Sequence, residues 1–418
     1  MEYDKIKKKR TSIDNSMKNR RDIMSNETLK EWKQYYEDAL LNDCIPFWLK
    51  NGVDYEYGGY FTCLDRKGEL YSTDKSVWFQ GRMLWVLSKL MTEFGVRDEW
   101  KKAADCGYEF LKNHCYLEDG RMPFTVTREG TYIQKRRYYF SETFAVIALA
   151  QYSIVTKNQE ALALAKKTYD LALDLFLHPE KLPPKFNPDL PGSITLANPM
   201  IMLATTQILR SADPANEALY NQNIDRFIRE IKLHMQPQLK AVVENVSPEG
   251  KYLHSQKGRL VNPGHAIEAS WFLMTEAEYR KDKDLLETGL TILNWSFEIG
   301  WDKECKGITY FVDVEGKPVE PLEAELRLWW PHNEALIAFI MAYQQTGHEE
   351  YLKQFEMVHQ YAFSHFRDTE YGEWYGYLRK DGTVSKDLKG SIFKGPFHYP
   401  RCLMLVSKEL GKLIDKGM

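Results

Sequence analysis

Residues 333–343, NEALIAFIMAY, decide the fold of this chain. Almost every position in this run is apolar, so a helix built from it is hydrophobic on all sides. Such a helix has to be covered on every face, because at a surface it would leave too much hydrocarbon in water. Similar runs recur, for example VWFQGRMLWVLSKL at 77–90 and ITLANPMIMLATTQIL at 194–209. The sequence therefore predicts an inner ring of helices.

A repeat of about 60 residues separates these runs. Five aromatic-rich hairpin candidates end in a turn glycine, and a looser loop that ends at Gly192 fills the remaining gap. The six glycines are Gly68, Gly130, Gly192, Gly250, Gly316 and Gly382, at intervals of 62, 62, 58, 66 and 66 residues. Each interval has room for a hairpin or loop and two helices. The apolar runs begin near Ser76, Phe140, Ile194, His265, Trp330 and Phe397, which indicates six units.

Amphipathic runs alternate with the apolar ones, such as NETLKEWKQYYEDALLND at 26–43 and EEYLKQFEMVHQYAFSHF at 349–366. Their apolar residues recur at three and four, with charged residues opposite, so they are expected to form an outer ring. The sequence predicts an all-α fold, an (α/α)6 barrel of six inner and six outer helices with short β-hairpins at one end. An open solenoid is the alternative, but it needs polar-faced caps.

Composition agrees with one domain from 26 to 418, because 44% of the residues are hydrophobic and no linker follows residue 25. Residues 1–25 are basic and nearly free of apolar periodicity, which favours a flexible tail over a nucleic-acid arm or a membrane anchor. The net charge of −3 indicates no polyanionic partner. No run reaches the roughly 18 apolar residues of a membrane span. Six cysteines without a C-x-x-C pair indicate a reducing, cytoplasmic setting.

Four polar residues share one phase of the repeat. Counted from the turn glycine of the same unit, the distance is 14 residues for Arg82, 15 for His265, 16 for His398 and 18 for Glu334. A single histidine in an apolar run is more often a hydrogen-bonded core residue, but four core residues have no reason to share a register. In a closed barrel equal phase means equal height. These side chains are therefore expected to gather where the inner helices begin.

Two histidines at helix starts suit proton transfer, because the positive end of the helix dipole disfavours imidazolium. Glu268 lies one turn beyond His265 and could orient that imidazole, hold a sugar hydroxyl or form a structural salt bridge. The nearby aromatic residues Trp78, Trp271, Trp329 and Trp330 suit the apolar faces of a sugar. With Arg82 or Arg401 to stabilise an enediolate oxygen, the set predicts proton removal next to a carbonyl group.

Other site chemistries have weaker support in the sequence. His265 with Glu268, or His332 with Glu334, would be half a metal site, but no further ligands of suitable spacing complete either pair, so no metal is expected. The common phosphate-binding glycine motifs and a serine nucleophile elbow are missing from the sequence.

Four motifs resemble the N-acylglucosamine 2-epimerase family, also known through renin-binding protein: WFQGRMLW at 78–85, NPGHAIEASWFL at 262–273, WWPHNEALIA at 329–338 and KGPFHYPRCL at 394–403. The resemblance extends from about residue 28 to residue 412. It implies an (α/α)6 barrel that interconverts N-acetyl-D-glucosamine and N-acetyl-D-mannosamine. The implied chemistry is proton exchange at C2 of the open-chain sugar.

The resemblance implies that His265 and His398 are the acid/base groups, one for each face of C2. It assigns binding or electrostatic roles to Arg82, Glu334 and Arg401. Glu268 and Trp271 match sugar-contacting positions of related epimerases. The expected substrate-binding set is Arg82, Asn198, Glu268, Trp271, Trp330, Glu334 and Arg401. Phe140 stands where the family more often has tyrosine.

Alternatives follow from the same residues. Cellobiose 2-epimerases, mannose 2-epimerases and aldose–ketose isomerases are similar in fold and in both histidines, and tend to carry a further histidine on the third inner helix. Met202 stands there, which favours an N-acyl sugar, while Asn198 keeps the helix polar. A glycoside hydrolase would use a carboxylate pair from Glu142, Glu268 and Glu334. A protease-binding regulator is a third class.

Cofactor and partner expectations follow from the implied chemistry. Only protons are transferred, so the reaction requires no cofactor, and ATP as an allosteric activator is left open. The expected partner is a small sugar, with a homodimer as a candidate assembly and no nucleic acid or membrane partner.

Overall fold

The computed structural model describes residues 26–136, 138–184, 187, 189 and 192–417. Over these residues the chain forms the predicted (α/α)6 barrel, with six inner and six outer helices in alternation. The inner helices are α3 (Val77–Phe94), α5 (Phe140–Thr156), α7 (Ala197–Ala212), α10 (Pro263–Arg280), α12 (Trp329–Thr346) and α14 (His398–Asp415). The outer helices are α1 (Asn26–Ala39), α4 (Asp98–His114), α6 (Gln159–Leu177), α8 (Glu217–Leu233), α11 (Lys283–Gly300) and α13 (Glu349–His365).

Burial explains which helices lie inside. In α12 every residue from Trp329 to Gln344 is buried, as its apolar composition requires. Outer helix α4 buries one face only, which carries Trp100, Tyr108 and Phe110, while its charged residues face solvent. The apolar runs therefore became inner helices because no other position covers all their faces.

Neighbouring inner helices pack closely around the ring. A side-chain carbon on Gly81 of α3 would lie 2.6 Å from the carbonyl oxygen of Phe144 in α5, so only glycine permits this approach. At the seam of the ring, α14 packs on α1 and contacts α3. One contiguous core of buried side chains extends from Leu29 to Leu413.

Two short helices interrupt the regular alternation. Helix α2 (Ile45–Asn51) continues from α1 through a π-helical turn at Leu40–Cys44, and α9 (Gln256–Arg259) precedes α10.

Short antiparallel strands lie where the chain enters the inner helices. The two-stranded sheets are β1 (Cys63–Leu64) with β2 (Leu70–Ser72), β6 (Ile194–Thr195) with β9 (Asn245–Val246), β7 (Met235–Gln236) with β8 (Ala241–Val242), and β10 (Leu260–Val261) with β11 (Val312–Asp313). The three-stranded sheets are β3 (Lys75–Ser76), β4 (Thr125–Val126) and β5 (Tyr132–Gln134), and β12 (Arg327–Leu328), β13 (Tyr377–Leu378) and β14 (Val384–Lys386).

Four of these strands join consecutive units. Strands β3, β6, β10 and β12 each lead into an inner helix, and each pairs with a strand of the following unit, β4, β9, β11 and β13 respectively. In the first pair Ser76 lies opposite Thr125. The start of each of these inner helices is therefore held by backbone hydrogen bonds to its neighbour.

The hairpin prediction is correct at three turn glycines and wrong at two. Gly68, Gly130 and Gly382 close β1–β2, β4–β5 and β13–β14. Gly250 and Gly316 also have positive φ angles, 79° and 72°, but they follow β9 and β11, whose partners belong to the preceding unit. These strands are satisfied across the unit boundary, so no return strand forms after the turn.

Two sequence predictions concern features beyond the barrel. The basic tail at 1–25 lies outside the described residues. Within the described part of the chain, none of the helices is both long enough and apolar enough to cross a membrane.

Two buried lysines hold the segment that leads into α14. Lys389 Nζ lies 3.0 Å from Asp368 Oδ2, and Lys394 Nζ lies 3.2 Å from Glu373 Oε1. Lys394 also donates to the carbonyl oxygen of Lys389, at 2.9 Å. The backbone N–H of Lys389 donates to the carbonyl oxygen of Leu64 in the first unit. This segment ties the last unit to the first and sets the position of α14.

We expect Lys394→Met to lower the free energy of unfolding by about 3 kcal/mol, because it leaves the Glu373 carboxylate buried without its cation. Lys380→Met is the matched control, since Lys380 pairs with Glu325 at the surface, and it should leave the free energy of unfolding almost unchanged. Urea unfolding followed by tryptophan fluorescence measures both. Equal losses in the two variants would contradict the structural role of the buried pair.

Candidate active site

The inner helices enclose a cavity of about 960 Å³ that extends along the barrel. The first residues of these helices line one end of it, among them Trp78, His265, Trp330 and His398. Residues near the helix C-termini line the other end, for example Thr92, Ser211 and Lys412. Three of the polar residues predicted to gather where the inner helices begin, Arg82, His265 and His398, therefore line this cavity.

Two hydrogen bonds hold His265 in place at the start of α10. Asn262 caps the helix, and its Oδ1 accepts a hydrogen bond from the backbone N–H of His265 at 3.1 Å. The Nδ1 atom of His265 lies 3.1 Å from Glu244 Oε2, while the hydroxyl of Thr195 donates to Glu244 Oε1 at 2.9 Å. Because a carboxylate only accepts, the hydrogen lies on Nδ1, and Nε2 is left for the substrate.

His398 is the first residue of α14 and has the same kind of partner. Its Nδ1 lies 2.8 Å from Glu334 Oε1. The indole N–H of Trp271 donates to the other oxygen of Glu334 at 2.9 Å. Burial raises the pKa of Glu334, while the guanidinium of Arg401 and the Trp271 N–H favour the ionised form. With Glu334 as a carboxylate, Nε2 of His398 is again the free basic nitrogen.

Trp330 on α12 lies beside both imidazoles. Its ring centroid is 5.4 Å from that of His265 and 5.6 Å from that of His398. Helix α12 contacts both α10 and α14, and both imidazoles line the same cavity as Trp330. A substrate atom in front of this indole can have a nitrogen base on either side.

Arg401 occupies the centre of an acidic cluster. Its Nη2 lies 2.5 Å from Glu268 Oε1, 2.7 Å from Glu334 Oε1 and 3.3 Å from His398 Nδ1. Ligand atoms of Glu268, Glu334 and His398 lie within 4.8 Å of one another, which is close enough for a metal ion. The guanidinium of Arg401 already pairs with both carboxylates, and Nδ1 of His398 donates to Glu334, so these atoms have partners within the protein and do not fit a resident metal.

Arg82 lies among aromatic rings on the other side of the site. Its guanidinium carbon is 4.1 Å from the ring centroid of Phe144 and 5.1 Å from that of Phe397. Its Nε atom is buried without a hydrogen-bond partner. Burial lowers the pKa of Arg82 to about 9, and Glu268 opposes this shift. The side chain therefore stays cationic at neutral pH and has a donor available to a ligand.

The two imidazoles have opposite pKa shifts. Burial disfavours the imidazolium of His265, but the charge of Glu244 outweighs it and raises the pKa above its usual 6.5. Burial and the positive charge of Arg401 hold the pKa of His398 well below 6.5. At neutral pH His398 is a neutral base, whereas His265 is the better proton donor. Such a pair suits general acid–base chemistry.

Most of the predicted site residues line this cavity, and two do not. The predicted residues on its wall are Arg82, His265, Glu268, Trp271, Trp330, His398 and Arg401. Among the described residues Glu334 and Asn198 are not part of the lining. Glu334 is fully buried and supports His398, and the α7 wall is formed by apolar residues such as Met200 and Ile201. Met202 is also fully buried and outside the lining.

Sequence reasoning missed Glu244. It precedes its turn glycine, whereas the phase of the repeat drew attention only to residues that follow the glycine. The available signal was a single carboxylate in the otherwise apolar stretch AVVEN at 241–245.

Comparisons with known proteins identify relatives over most of the chain. The model of the family described as N-acylglucosamine 2-epimerase (GlcNAc 2-epimerase) matches residues 59–398. The N-acylglucosamine 2-epimerase of Bos taurus is 38% identical over 396 residues, which cover 93% of this chain and 94% of that protein. The cellobiose 2-epimerase of Dictyoglomus turgidum is 24% identical, over 91% of this chain and 100% of that protein.

A solved structure shares the fold. The cellobiose 2-epimerase from Bacillus thermoamylovorans superposes with a TM-score of 0.79 at 23% identity, and the match covers 91% of this chain and 100% of that one. The sequence matches define the class of protein as a carbohydrate epimerase, which is an isomerase. Within this class, the chain belongs to the N-acylglucosamine 2-epimerase family.

The pKa shifts predict a bell-shaped dependence of kcat/KM on pH. Activity falls on the acidic side, below pH 6.5, as His398 gains a proton, and on the basic side, above pH 6.5, as His265 loses one. Glu244→Gln removes the charge that favours the imidazolium of His265. We therefore expect the basic limb to move to lower pH by about one unit, with the acidic limb unchanged.

Thr195→Val is the control for this shift, since it removes only the hydrogen bond to the other oxygen of Glu244. It should move the basic limb less than Glu244→Gln does. If the basic limb of Glu244→Gln stays in place, Glu244 does not set the pKa of the group that titrates there.

Proposed function

We propose that this protein interconverts N-acetyl-D-glucosamine and N-acetyl-D-mannosamine by moving a proton between the two faces of C2. The observation that supports this proposal most strongly is the pair of imidazoles with opposite pKa shifts on either side of Trp330. Inversion at one carbon requires a base on one face and an acid on the other. The close relatives named N-acylglucosamine 2-epimerase supply the substrate class.

The proposed reaction begins with the open-chain sugar, whose C1 aldehyde acidifies the hydrogen on C2. The Nε2 atom of one histidine takes this proton, and the electron pair of the C–H bond forms the C1–C2 double bond of an enolate, whose negative charge lies on O1. Arg82, whose Nε has no protein partner, stabilises that oxygen. The other imidazolium then protonates C2 on the opposite face. The pKa shifts favour His398 as the base and His265 as the acid in the resting enzyme.

The site supports an epimerase over a glycoside hydrolase. Glu142 is fully buried, and its carboxylate accepts from Arg121 at 2.6 Å. Glu268 and Glu334 both bind Arg401, which holds them close together. A hydrolase needs one protonated and one ionised carboxyl group on opposite sides of a glycosidic bond. Here Glu334 and Glu244 instead each contact the Nδ1 atom of one imidazole.

We propose that proton exchange requires no cofactor and that the protein acts in the cytoplasm. Its six cysteines are free thiols, as expected in a reducing compartment. Adding ATP to the assay below tests whether a nucleotide activates the enzyme.

Deuterium incorporation tests the function directly. N-acetyl-D-mannosamine, D-mannose and cellobiose are incubated with the enzyme in D₂O, with and without ATP, and followed by ¹H NMR. We expect N-acetyl-D-mannosamine to yield N-acetyl-D-glucosamine with deuterium at C2. Turnover of cellobiose or mannose alone would favour the related epimerases and isomerases. A product without deuterium at C2 would contradict the proton-exchange mechanism.

We expect His265→Asn and His398→Asn each to retain less than about a thousandth of the epimerase activity, because one face of C2 loses its proton carrier, worth about 10² to 10⁴ in rate. Each variant should still exchange the C2 hydrogen of one epimer with solvent, and the two variants should act on opposite epimers. NMR in D₂O measures both properties, and circular dichroism checks the fold. More than a tenth of wild-type epimerisation in both variants would refute the two-base assignment.

We expect Arg82→Met to lower kcat by about 100-fold with a small effect on KM, because the lost charge acts mainly on the O1 oxyanion of the enolate. Arg97→Met is the matched control. Arg97 also stacks on an aromatic ring, that of Trp100 at 4.1 Å, but lies at the surface. A loss confined to KM in Arg82→Met would show that Arg82 binds the substrate and the intermediate equally.

A further inference from the structure

One side of the cavity wall is charged and the other side is mainly apolar. Below the imidazoles, helices α3, α10 and α14 carry charged groups, namely Arg82, Glu268 and Arg401. Level with these groups and below them, α5 and α7 present the side chains of Phe144, Ile147, Ile201, Ala204 and Ile208. We call these five residues the apolar channel. None of the five offers a hydrogen-bonding group. The polar lining residues of the same helices are turned to other partners or buried, since Gln151 donates to Thr92, Gln207 donates to the carbonyl oxygen of Phe272, and Thr205 is almost fully buried. This strip of wall therefore suits a hydrocarbon.

The channel residues on α7 face the lumen of the barrel. Ile201, Ala204 and Ile208 are only partly buried, whereas Met202, Leu203 and Leu209 are fully buried. An inner helix exposes side chains mainly to the lumen, so these three form one stripe at helical spacing. From Ile201 to Ile208 the stripe extends about 10 Å along the barrel axis, at a rise of 1.5 Å per residue. A stripe of this length exceeds what an acetyl methyl group can cover.

The proposed chemistry directs one substituent of C2 toward this channel. In the enolate intermediate the bonds from C2 to C1, C3 and nitrogen lie in one plane, and in the proposed mechanism the imidazoles lie above and below it. The plane therefore extends from Trp330 across the lumen to α5, which is opposite α12 in the ring. Of the three substituents of C2, C1 carries the charged O1 and belongs near the arginines. The hydroxylated chain that begins at C3 belongs at the solvent-facing end of the cavity. The acyl group is the remaining one, and it is the least polar.

We propose that the N-acyl group of the substrate lies in the apolar channel, and that the channel admits linear acyl groups longer than acetyl. This inference rests on the proposed N-acylhexosamine 2-epimerase function. It assigns α5 and α7 to acyl-chain selection, whereas α10, α12 and α14 carry the proton chemistry. A buried methylene gains enough hydrophobic free energy to offset the ordering of a longer chain.

The test compares N-acetyl-, N-butanoyl- and N-hexanoyl-D-mannosamine as substrates of the wild-type enzyme by NMR. We expect kcat/KM for the two longer substrates to lie within about fivefold of that for N-acetyl-D-mannosamine, since the gain of about fourfold per buried methylene is largely offset by the entropy lost when the longer chain is ordered. A loss of fifty-fold or more for the butanoyl compound overturns the proposal. If the acetyl compound still reacts in that case, the proposed function stands. If none of the three reacts, both the function and the inference fail.

Variants at two depths locate the channel. Ala204→Phe fills it one turn below the site, and it should lower kcat/KM for the butanoyl and hexanoyl substrates at least twenty-fold relative to that for the acetyl substrate. Ile208→Phe lies one turn deeper and should affect the hexanoyl substrate alone. Leu405→Phe is the control, because Leu405 lines the cavity on α14 and not on the channel side. It should leave the relative rates of all three substrates unchanged.

Acetyl turnover shows in each variant that the barrel is folded, and Ala204→Leu gives a milder block if the phenylalanine variant does not fold. Equal losses for all chain lengths in Ala204→Phe and Ala204→Leu would overturn the assignment. The assignment also fails if Leu405→Phe selects against long chains and Ala204→Phe does not.

Discussion

The guanidinium of Arg401 lies between two buried carboxylates, 2.5 Å from Glu268 and 2.7 Å from Glu334. A buried carboxylate without a cation costs several kcal/mol, roughly 3 to 5 when a partner is removed. Arg401 therefore allows both acidic groups to stay ionised inside the barrel. Its charge also disfavours the imidazolium of His398, which Glu334 alone would stabilise. The neutral base, the orientation of its ring and the charge balance of the lumen all depend on this one side chain.

The barrel gives the two histidines similar surroundings, and their partners make them different. Both occupy the first turn of an inner helix, where the backbone dipole disfavours a positive charge. His265 has a carboxylate partner, Glu244, with no arginine among the main influences on its pKa. His398 has a carboxylate partner and two arginines nearby, Arg401 and Arg82. A repeated fold thus supplies two equivalent positions, and four charged side chains assign them unequal roles.

The strands that join consecutive units explain how these positions are kept in register. Strand β10 leads into α10 and pairs with β11 of the next unit, and β12 does the same for α12 with β13. At α14 no strand leads directly into the helix. The buried pairs of Lys389 and Lys394 hold that segment instead. Ion pairs therefore close the ring at the seam. Backbone hydrogen bonds join the described units that carry the paired strands.

The sequence by itself determined the barrel, the six-fold repeat and the shared height of His265, His398 and Arg82, because hydrophobic periodicity and repeat phase are local properties of the chain. It also indicated Arg401, Glu268 and Trp330. Only the tertiary structure decided that Glu244 partners His265, that Glu334 supports His398 from behind the wall, and that Asn198 is not part of the cavity lining. These outcomes depend on contacts between units, such as the contact of Glu334 on α12 with Arg401 on α14. Spacing along one chain cannot specify which face of a neighbouring helix a side chain meets. For the same reason it could not specify that β9 and β11 pair with strands of the preceding unit and form no hairpins at Gly250 and Gly316.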